Sequence, residues 1–431
     1  MNMNERELLA YCWKYGLFGS LSTSKGWSLD ITDPGLRNRH EGPDFFNAKV
    51  KIQGTLWVGN VEILEKASDW HLNLYDENSK YDNVVLVIVG QHDADIVNSQ
   101  GSTVTMAEAE VPTNIRERLQ RLLSDEGLSE CIRWNAENCS RLVFHAWASA
   151  LQTEYLEQES DRAKRLAQES GQWDDALLTM MARYYGARVS DAMADTMERW
   201  AMQLPKPILY RYRGDLFILE ALMLGQAGLL ELEAIPEAQK HETLMEGYFT
   251  RQRNEYLFLV KKHSLHTMDY KEWKGESPHV IIARLANMYY NNTFSMLYFV
   301  KLKTMKEFSD WFRISVTPYW ETHRHYGLMD KQRSEKRPTA ERLNEIVVTV
   351  AVPMLFAYGR FRNDEEMCDI AFDIMEQMKP MKNAAVKEFA ELGFEMKSGL
   401  VTLALSHLKK EYCMKKDCLR CRFGYNYIRQ K

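Results

Sequence analysis

The sequence predicts an α+β protein in which a small N-terminal domain with a mixed sheet precedes a large all-α domain. Two patterns in the first third indicate strands. Apolar residues alternate with lysines over 48–52, and the run over 84–89 is apolar throughout. From Pro112 onward, apolar residues recur at helical spacing almost to the end. We therefore expect an α+β domain over residues 1–112, a helical domain over 113–405 and a basic, cysteine-rich tail over 406–431.

In the first domain, an opening helix is predicted over 5–15, because Leu8, Leu9, Cys12 and Trp13 fall on one helical face. Residues 19–42 are rich in Gly, Ser, Asp and Asn and predict a loop. Gln53-Gly54 predicts a turn between the strand over 48–52 and a returning strand over 55–64. A further strand is expected over 103–111.

In the helical domain, residues 130–138 are interpreted as a connection, and a long helix is predicted to follow them. The charged stretch over 330–339 lacks apolar residues and predicts a loop or linker. The predicted helical segments are 141–169, 173–203, 215–232, 242–262, 280–305, 344–358 and 363–378.

Composition bounds the class of protein. The chain has 431 residues, of which 45% are hydrophobic and 27% charged, and these are ordinary globular values. The polar N-terminus and the lack of a long apolar run predict a cytoplasmic protein with no membrane contact. The net charge of −5 means that any nucleic-acid binding needs a local basic patch. Seven cysteines in such a chain do not indicate a disulfide scaffold.

Several stretches resemble a bacterial family known as domain of unknown function 2851. The match is carried by motifs spread over nearly the whole chain: Gly-Pro-Asp-Phe-Phe-Asn-Ala over 42–48, Gly-Asn-Val-Glu-Ile over 59–63, Ser-Asp-Trp over 68–70, Glu-Ala-Leu-Met-Leu-Gly-Gln-Ala-Gly-Leu-Leu over 220–230, Tyr-Trp-Glu-Thr-His over 319–323 and Pro-Met-Leu-Phe-Ala-Tyr-Gly over 353–359. The resemblance implies no established function. The family pattern has histidines where this chain has Leu64, Asn73, Tyr75 and Val87. Within the helical part, Glu220 is expected to pair with Arg211 or Arg213.

Asp44 and Glu62 form the candidate catalytic pair. Asp44 opens one predicted strand and Glu62 lies in the strand that returns beside it. Two converging carboxylates can hold Mg²⁺ or Mn²⁺, and such a metal activates water for attack on a phosphate. A Pro-Asp followed by Glu-x-Lys on the next strand resembles the restriction-endonuclease-like fold. That resemblance implies a metal-dependent nuclease, with Glu7 or Glu41 as a further metal ligand.

The position that should carry the lysine holds Leu64 instead. Lys66 or His71 could orient the attacking water, and Lys49 or Lys51 could substitute from the partner strand. Pro-Asp after glycine is also a common turn, and Glu62 could equally face solvent. The pattern therefore predicts either an active nuclease or a divergent relative without activity.

Three cysteines crowd the tail, with the spacing Cys413-x₄-Cys418-x₂-Cys421. Three thiolates within nine residues suit Zn²⁺ or an iron–sulfur cluster, each of which needs a fourth ligand. His407, Cys368, Cys131 and Cys139 are the alternatives for that ligand. The alternative is that the three cysteines are reduced thiols on a basic, solvated tail and bind no metal.

The function predicted from these features is binding or cleavage of nucleic acid by a divergent, nuclease-like N-terminal domain. Aromatic residues near Asp69 could stack on bases, although Trp57 is expected in the core and the role of Trp70 is left open. No Gly-x-Ser-x-Gly, His-Glu-x-x-His or Walker A motif is present. The alternative is a non-enzymatic helical interaction module with a small sheet as a cap.

Overall fold

The structure is a computed structural model that describes residues 4–38, 41–273 and 278–430. Contacts between residues divide the chain into two compact units, one from 1–139 with 411–431 and one from 140–410. The first unit contains a mixed sheet and the second is helical, which confirms the α+β class. The predicted boundaries at 112 and 405 stay predictions. No helix of the described ranges combines the length and the apolar character that crossing a bilayer requires.

The first unit is built on a seven-stranded sheet. The chain order begins with helix α1 (Glu5–Tyr15) and continues with β1 (Leu21–Ser22), β2 (Ser28–Asp33), β3 (Leu36–Arg37), β4 (Phe45–Ile52), β5 (Thr55–Lys66), α2 (Asp69–Leu72), β6 (Val84–Gln91), β7 (Met106–Glu108), α3 (Thr113–Leu122) and α4 (Asp125–Asn138). The strand order is β1-β2-β4-β5-β6-β7, with β3 paired to β4. β2, β4 and β5 are antiparallel, whereas β6 runs parallel to β5.

In the residues of the second unit that the structure describes there are fifteen α-helices and one short hairpin. They are α5 (Arg141–Ser170), α6 (Trp173–Ala187), α7 (Asp191–Gln203), α8 (Lys206–Arg211), α9 (Leu216–Gln226), α10 (Lys240–Glu246), α11 (Tyr248–His263), α12 (His279–Tyr290), α13 (Met296–Phe299), α14 (Met305–Trp311), β8 (His323–His325), β9 (Leu328–Met329), α15 (Ala340–Ile346), α16 (Val352–Arg362), α17 (Glu365–Glu376), α18 (Ala384–Glu391) and α19 (Gly399–Leu408). The last helix, α20 (Arg422–Ile428), belongs to the first unit.

Local signals explain the best-predicted elements. The Asn4 side chain caps α1 by accepting a hydrogen bond from the Arg6 backbone N–H, and Gly16 ends the helix in the left-handed region. Gln53 and Gly54 both have positive φ, as the tightest hairpin turns require, so β4 returns directly as β5.

Two predictions for this unit are wrong. Residues 19–42 hold β1, β2 and β3, because Leu29 is buried and pairs with Ile52 of β4. Residues 130–138 are not a connection but the C-terminal part of α4. That helix is capped by the Ser124 hydroxyl, and its Cys131 and Asn135 are buried one turn apart.

Two of the family-like motifs meet inside the second unit. Glu220 of α9 is fully buried, and its Oε1 accepts hydrogen bonds from Tyr248 (2.8 Å), Gln252 (2.5 Å) and Trp320 (2.9 Å). Burial raises the pKa of Glu220, while these donors oppose the rise. The expected pairing with Arg211 or Arg213 is wrong. The Glu220 carboxylate is held by neutral donors and organises the packing of this unit.

Candidate functional site

Strand pairing brings the two predicted carboxylates together at the start of β4. Phe45 pairs with Val61, so Asp44 lies beside Glu62. The Asp44 backbone N–H donates to Glu62 Oε2 at 2.9 Å, and the Ile63 N–H donates to Asp44 Oδ2 at 3.2 Å. Glu62 is completely buried and Asp44 is 9% exposed. The two side chains therefore form one buried acidic pair.

Arg6 from α1 joins the two carboxylates. Its Nη2 lies 3.1 Å from Asp44 Oδ2 and 2.7 Å from Glu62 Oε1. Arg37 of β3 adds a second guanidinium, 3.4 Å from Asp44 Oδ1. All four carboxylate oxygens thus have a partner. The Arg6 guanidinium also lies between the carboxylates, where a shared metal ion would have to bind.

The charges of this group are strongly coupled. Burial raises the pKa of Glu62 to about 8, and the nearby Asp44 charge adds to the rise while Arg6 opposes it. Burial on its own lowers the pKa of Arg6, but the charges of Asp44 and Glu62 raise it above its ordinary value. Arg6 therefore stays cationic and is the main counter-charge of the pair.

The other predicted site residues have different partners. Glu7 is exposed on α1, and Lys66 is exposed at the end of β5, where its backbone N–H donates to Asp69. The His71 ring bonds to Asp76 Oδ2 at 2.7 Å and to the carbonyl of Asp95 at 3.1 Å. The bond to Asp76 raises the pKa of His71. The structure brings Asp44 and Glu62 together, whereas the His71 ring contacts Asp76 and the Lys66 side chain is exposed.

The remaining alternatives lie in different surroundings. The Glu41 carboxylate pairs with Lys80 at 2.7 Å, and Lys49 and Lys51 are exposed on β4. Leu64 is buried in an apolar cluster with Trp70 and its neighbours. Trp70 is fully buried, whereas Trp57, expected in the core, is half exposed. Thus Trp57, rather than Trp70, is available to a ligand.

Sequence reasoning missed Arg6 and Arg37. Arginines usually lie on the surface, so neither residue stands out in the sequence. On the opening helix the predicted metal ligand was the neighbouring Glu7. The one available signal was that Asp44 and Glu62 are both acidic and were expected to lie side by side, because a buried acidic pair requires a cation. That requirement does not say which of the chain's 55 lysines and arginines supplies it.

A cavity of about 440 Å³ lies next to this group in the first unit. Arg37 contributes to its wall and also contacts Asp44. Its charged lining consists of Lys14, Arg37, Arg420, Glu7 and Asp417. The lining therefore holds three cationic and two acidic side chains, a net charge of +1, and Asp417 pairs with Arg420 at 2.5 Å.

The three tail cysteines lie in the first unit, and all three are buried. The N–H of Cys421 donates to the carbonyl of Cys418, which closes a tight turn between them. Cys131 of α4 is buried too, and its pKa is raised by burial and then by the thiols of Cys421, Cys413 and Cys418. The Asn135 side chain, one turn after Cys131, donates to the carbonyl of Phe423, so Cys131 lies near the segment that carries Cys421.

The other candidates for a fourth ligand have different surroundings. His407 belongs to the second unit, where its Nε2 lies 3.7 Å from Glu154. Cys368 is also in the second unit, next to the carbonyl of Phe356. Cys139 receives a contact from Asn426. Over the described ranges, no three His, Cys, Asp or Glu side chains form a ready set of metal ligands.

Fold and site together define an α+β protein with an arginine-bridged acidic pair at a mixed sheet and a separate helical unit. The chain belongs to the family described as protein of unknown function (DUF2851), whose model matches residues 6–384. This match confirms the family resemblance seen in the motifs. Neither the curated proteins nor the solved structures gave a match.

Proposed function

We propose that the first unit binds nucleic acid through a nuclease-like scaffold in which an arginine has taken the place of the catalytic metal. The observation that carries this proposal is the Arg6 guanidinium, which contacts both Asp44 and Glu62. These are the two carboxylates that a nuclease of the restriction-endonuclease-like type would use for its metal.

The order of elements supports a nuclease-like scaffold. Helix α1 precedes an antiparallel set of strands, and β6 then returns parallel to β5. Asp44 stands at the start of β4 and Glu62 in the middle of β5. This placement supports the interpretation of Asp44 and Glu62 as the counterparts of the two acidic residues in the nuclease pattern.

The same site disfavours hydrolysis. A divalent cation would have to displace Arg6 from two charge-assisted hydrogen bonds, and Mg²⁺ gives up its own waters reluctantly. The position that should carry a water-orienting lysine is the buried Leu64. A phosphate ester near the pair would therefore meet neither an activating metal nor a general base.

The cationic cavity supports binding of phosphate. Lys14, Arg37 and Arg420 line it, and Lys14 is exposed on the last turn of α1. Arginine recognises phosphate through paired N–H donors, and the net charge of −5 makes such a local patch necessary. The half-exposed Trp57 offers a ring on the same unit for base stacking.

The test is a paired binding and cleavage assay on the full chain. Labelled single- and double-stranded DNA and RNA are incubated with Mg²⁺ or Mn²⁺, and anisotropy and strand cleavage are measured together. We expect binding without cleavage, and about tenfold weaker binding in Lys14→Gln/Arg420→Gln, which corresponds to roughly 1.4 kcal/mol for two phosphate contacts.

Lys387→Gln is the matched control, because Lys387 is exposed on α18 in the second unit. It should bind as the wild type does. Cleavage that disappears in Asp44→Ala and Glu62→Ala would refute the arginine-for-metal proposal. Absence of binding to every nucleic acid would refute the function and favour the helical interaction module.

A further inference from the structure

Contacts between α4 and the C-terminal segment bring Cys131 near the three tail cysteines, which lie far from it in the chain. Cys413, Cys418 and Cys421 are on the last segment, and Cys131 is on α4. Their exposed fractions are 8%, 6%, 6% and 6%, respectively. Each is buried even though the surrounding tail is basic and polar. The same segment also buries Phe423 and Ile428, so the thiols lie in a packed part of the first unit.

The contact between α4 and the tail is specific. The Asn135 side chain, one turn after Cys131, donates to the carbonyl of Phe423 at 3.0 Å. The same amide lies 3.6 Å from Cys131 Sγ. Tyr427 of α20 donates to Glu130, which directly precedes Cys131. Cys131 is therefore fixed next to the Cys421–Phe423 segment from both sides.

The tail backbone turns tightly between two of its cysteines. The Cys421 N–H donates to the carbonyl of Cys418 at 3.3 Å. Gly424 packs so closely that a Cβ there would lie 2.4 Å from the carbonyl oxygen of Cys418. Because only glycine fits at this position, the turn holds Cys418 and Cys421 close together.

We propose that Cys131, Cys413, Cys418 and Cys421 form one four-thiolate metal centre that joins α4 to the C-terminal segment. Four cysteine thiolates are the ligand set of structural Zn²⁺ and of iron–sulfur clusters, and both are thiophilic. In the described ranges the four thiols do not form a ready set of metal ligands, and the proposal requires that they move closer together when the metal binds. The proposal is independent of nucleic-acid binding by the same unit.

Metal binding must overcome the cost of forming buried thiolates. Binding of Zn²⁺ releases the four thiol protons to solvent and forms four zinc–sulfur bonds. An iron–sulfur cluster reaches the same thiols with its iron and inorganic sulfide already assembled, and again the four thiol protons are released. In both cases the bound metal supplies positive charge, which stabilises the four thiolates in place of the water that burial removes.

The experiment measures metal content and thiol reactivity on the full chain, purified without oxygen and without chelator. Elemental analysis and the visible spectrum distinguish about one Zn²⁺ per chain from an iron–sulfur cluster, which adds sulfide and broad visible absorption. Alkylation followed by peptide mass spectrometry then shows which cysteines are shielded. We expect Cys131, Cys413, Cys418 and Cys421 to be protected until chelator is added.

The matched variants are Cys131→Ser and Cys139→Ser. Both residues are on or next to α4, but Cys139 is partly exposed and outside the proposed set. Cys131→Ser should lose at least tenfold in metal content, while Cys139→Ser should keep it. If Cys131→Ser does not fold, the alkylation pattern of the wild type decides alone. A metal-free wild type, equal metal in both variants, or alkylation of the four thiols without chelator would each overturn the proposal.

Discussion

At the scale of single residues, Arg6 is the group on which the acidic pair depends. Glu62 has no contact with water and Asp44 is 9% exposed, so the negative charge that the two carboxyl groups share is balanced by groups inside the unit. Removing one partner of a buried pair leaves the other uncompensated, which costs more than the pair itself contributes. Arg6 is therefore expected to be required for folding even if the protein has no catalytic activity.

Arg6→Ala should lower the free energy of unfolding by about 3 kcal/mol, the low end for buried pairs, because 36% of the Arg6 side chain remains exposed. Arg116→Ala is the control, since Arg116 also pairs with α1, through Glu5, but both partners are about one-third exposed. Its effect should stay below about 1 kcal/mol. Urea unfolding measures both, and equal losses would contradict the role given to Arg6.

Glu62 makes stability depend on pH. Its pKa is raised to about 8 in the folded protein, above the ordinary carboxyl value of the unfolded chain. Between those two values the folded state binds the extra proton, so the free energy of unfolding falls as the pH rises. The stabilising contribution is complete below the ordinary carboxyl pKa and is lost as the pH passes about 8.

Glu62→Gln cannot titrate and should remove that dependence. Relative to the wild type, the variant should gain stability steadily from pH 5 to pH 8.5, as measured by urea midpoints at several pH values. Glu65→Gln, on the exposed side of the same strand, should follow the wild type. Parallel curves for the wild type and Glu62→Gln would mean that Glu62 is already ionised in the folded protein at low pH.

At the scale of elements, β5 combines the acidic pair with the core. Glu62 and Leu64 are on the same side of the strand, but Leu64 packs in the cluster of Trp70 and Val87. A lysine at this position would have to enter that cluster. The leucine that stands in place of the lysine of the nuclease pattern is therefore part of the packing around the sheet and is not a surface change.

Leu64→Lys, which restores the expected Glu-x-Lys, should lower the free energy of unfolding by about 3–5 kcal/mol, because it buries an unpaired charge. It should not create metal-dependent cleavage. Leu56→Lys is the control on the same strand, where Leu56 is 52% exposed, and should change stability by less than about 0.5 kcal/mol. A stable Leu64→Lys protein that cleaves DNA would refute this view of the site.

Elements that depend on local signals could be predicted. Helix α1 has the predicted bounds, because its cap, its apolar face and its terminal glycine lie within thirteen residues of one another. The β4–β5 hairpin follows from Gln53-Gly54 in the same way. Strand β2 was missed because its evidence is the distant pairing of Leu29 with Ile52.

The site residues divide in the same way, into contacts with a local sequence signal, which could be predicted, and contacts between distant segments, which could not. The convergence of Asp44 and Glu62 could be predicted from the hairpin, because the two strands pair directly. Arg6 reaches them across 38 and 56 residues of sequence, with no pattern that marks the contact. Cys131 lies much farther from the tail, since the α4–tail contact from Asn135 to Phe423 spans 288 residues, so the sequence could only offer Cys131 as one of four alternatives.

At the scale of the whole molecule, the charge balance limits how nucleic acid can bind. The chain has 55 lysines and arginines against 60 aspartates and glutamates, so long-range attraction to a phosphate backbone is absent. Binding must then rest on the few cations at the cavity. This makes the dependence of affinity on salt a direct count of the phosphates held there.

Three cationic side chains line that cavity, and the logarithm of the affinity for duplex DNA should fall with the logarithm of salt concentration at a slope of about −2.7. Lys14→Gln should reduce the slope by about 0.9, because one phosphate contact is removed, and Lys387→Gln should leave it unchanged. Titrations by anisotropy at several salt concentrations measure both slopes. A slope of about −6 or steeper would require a much larger basic surface and would place the nucleic acid elsewhere on the protein.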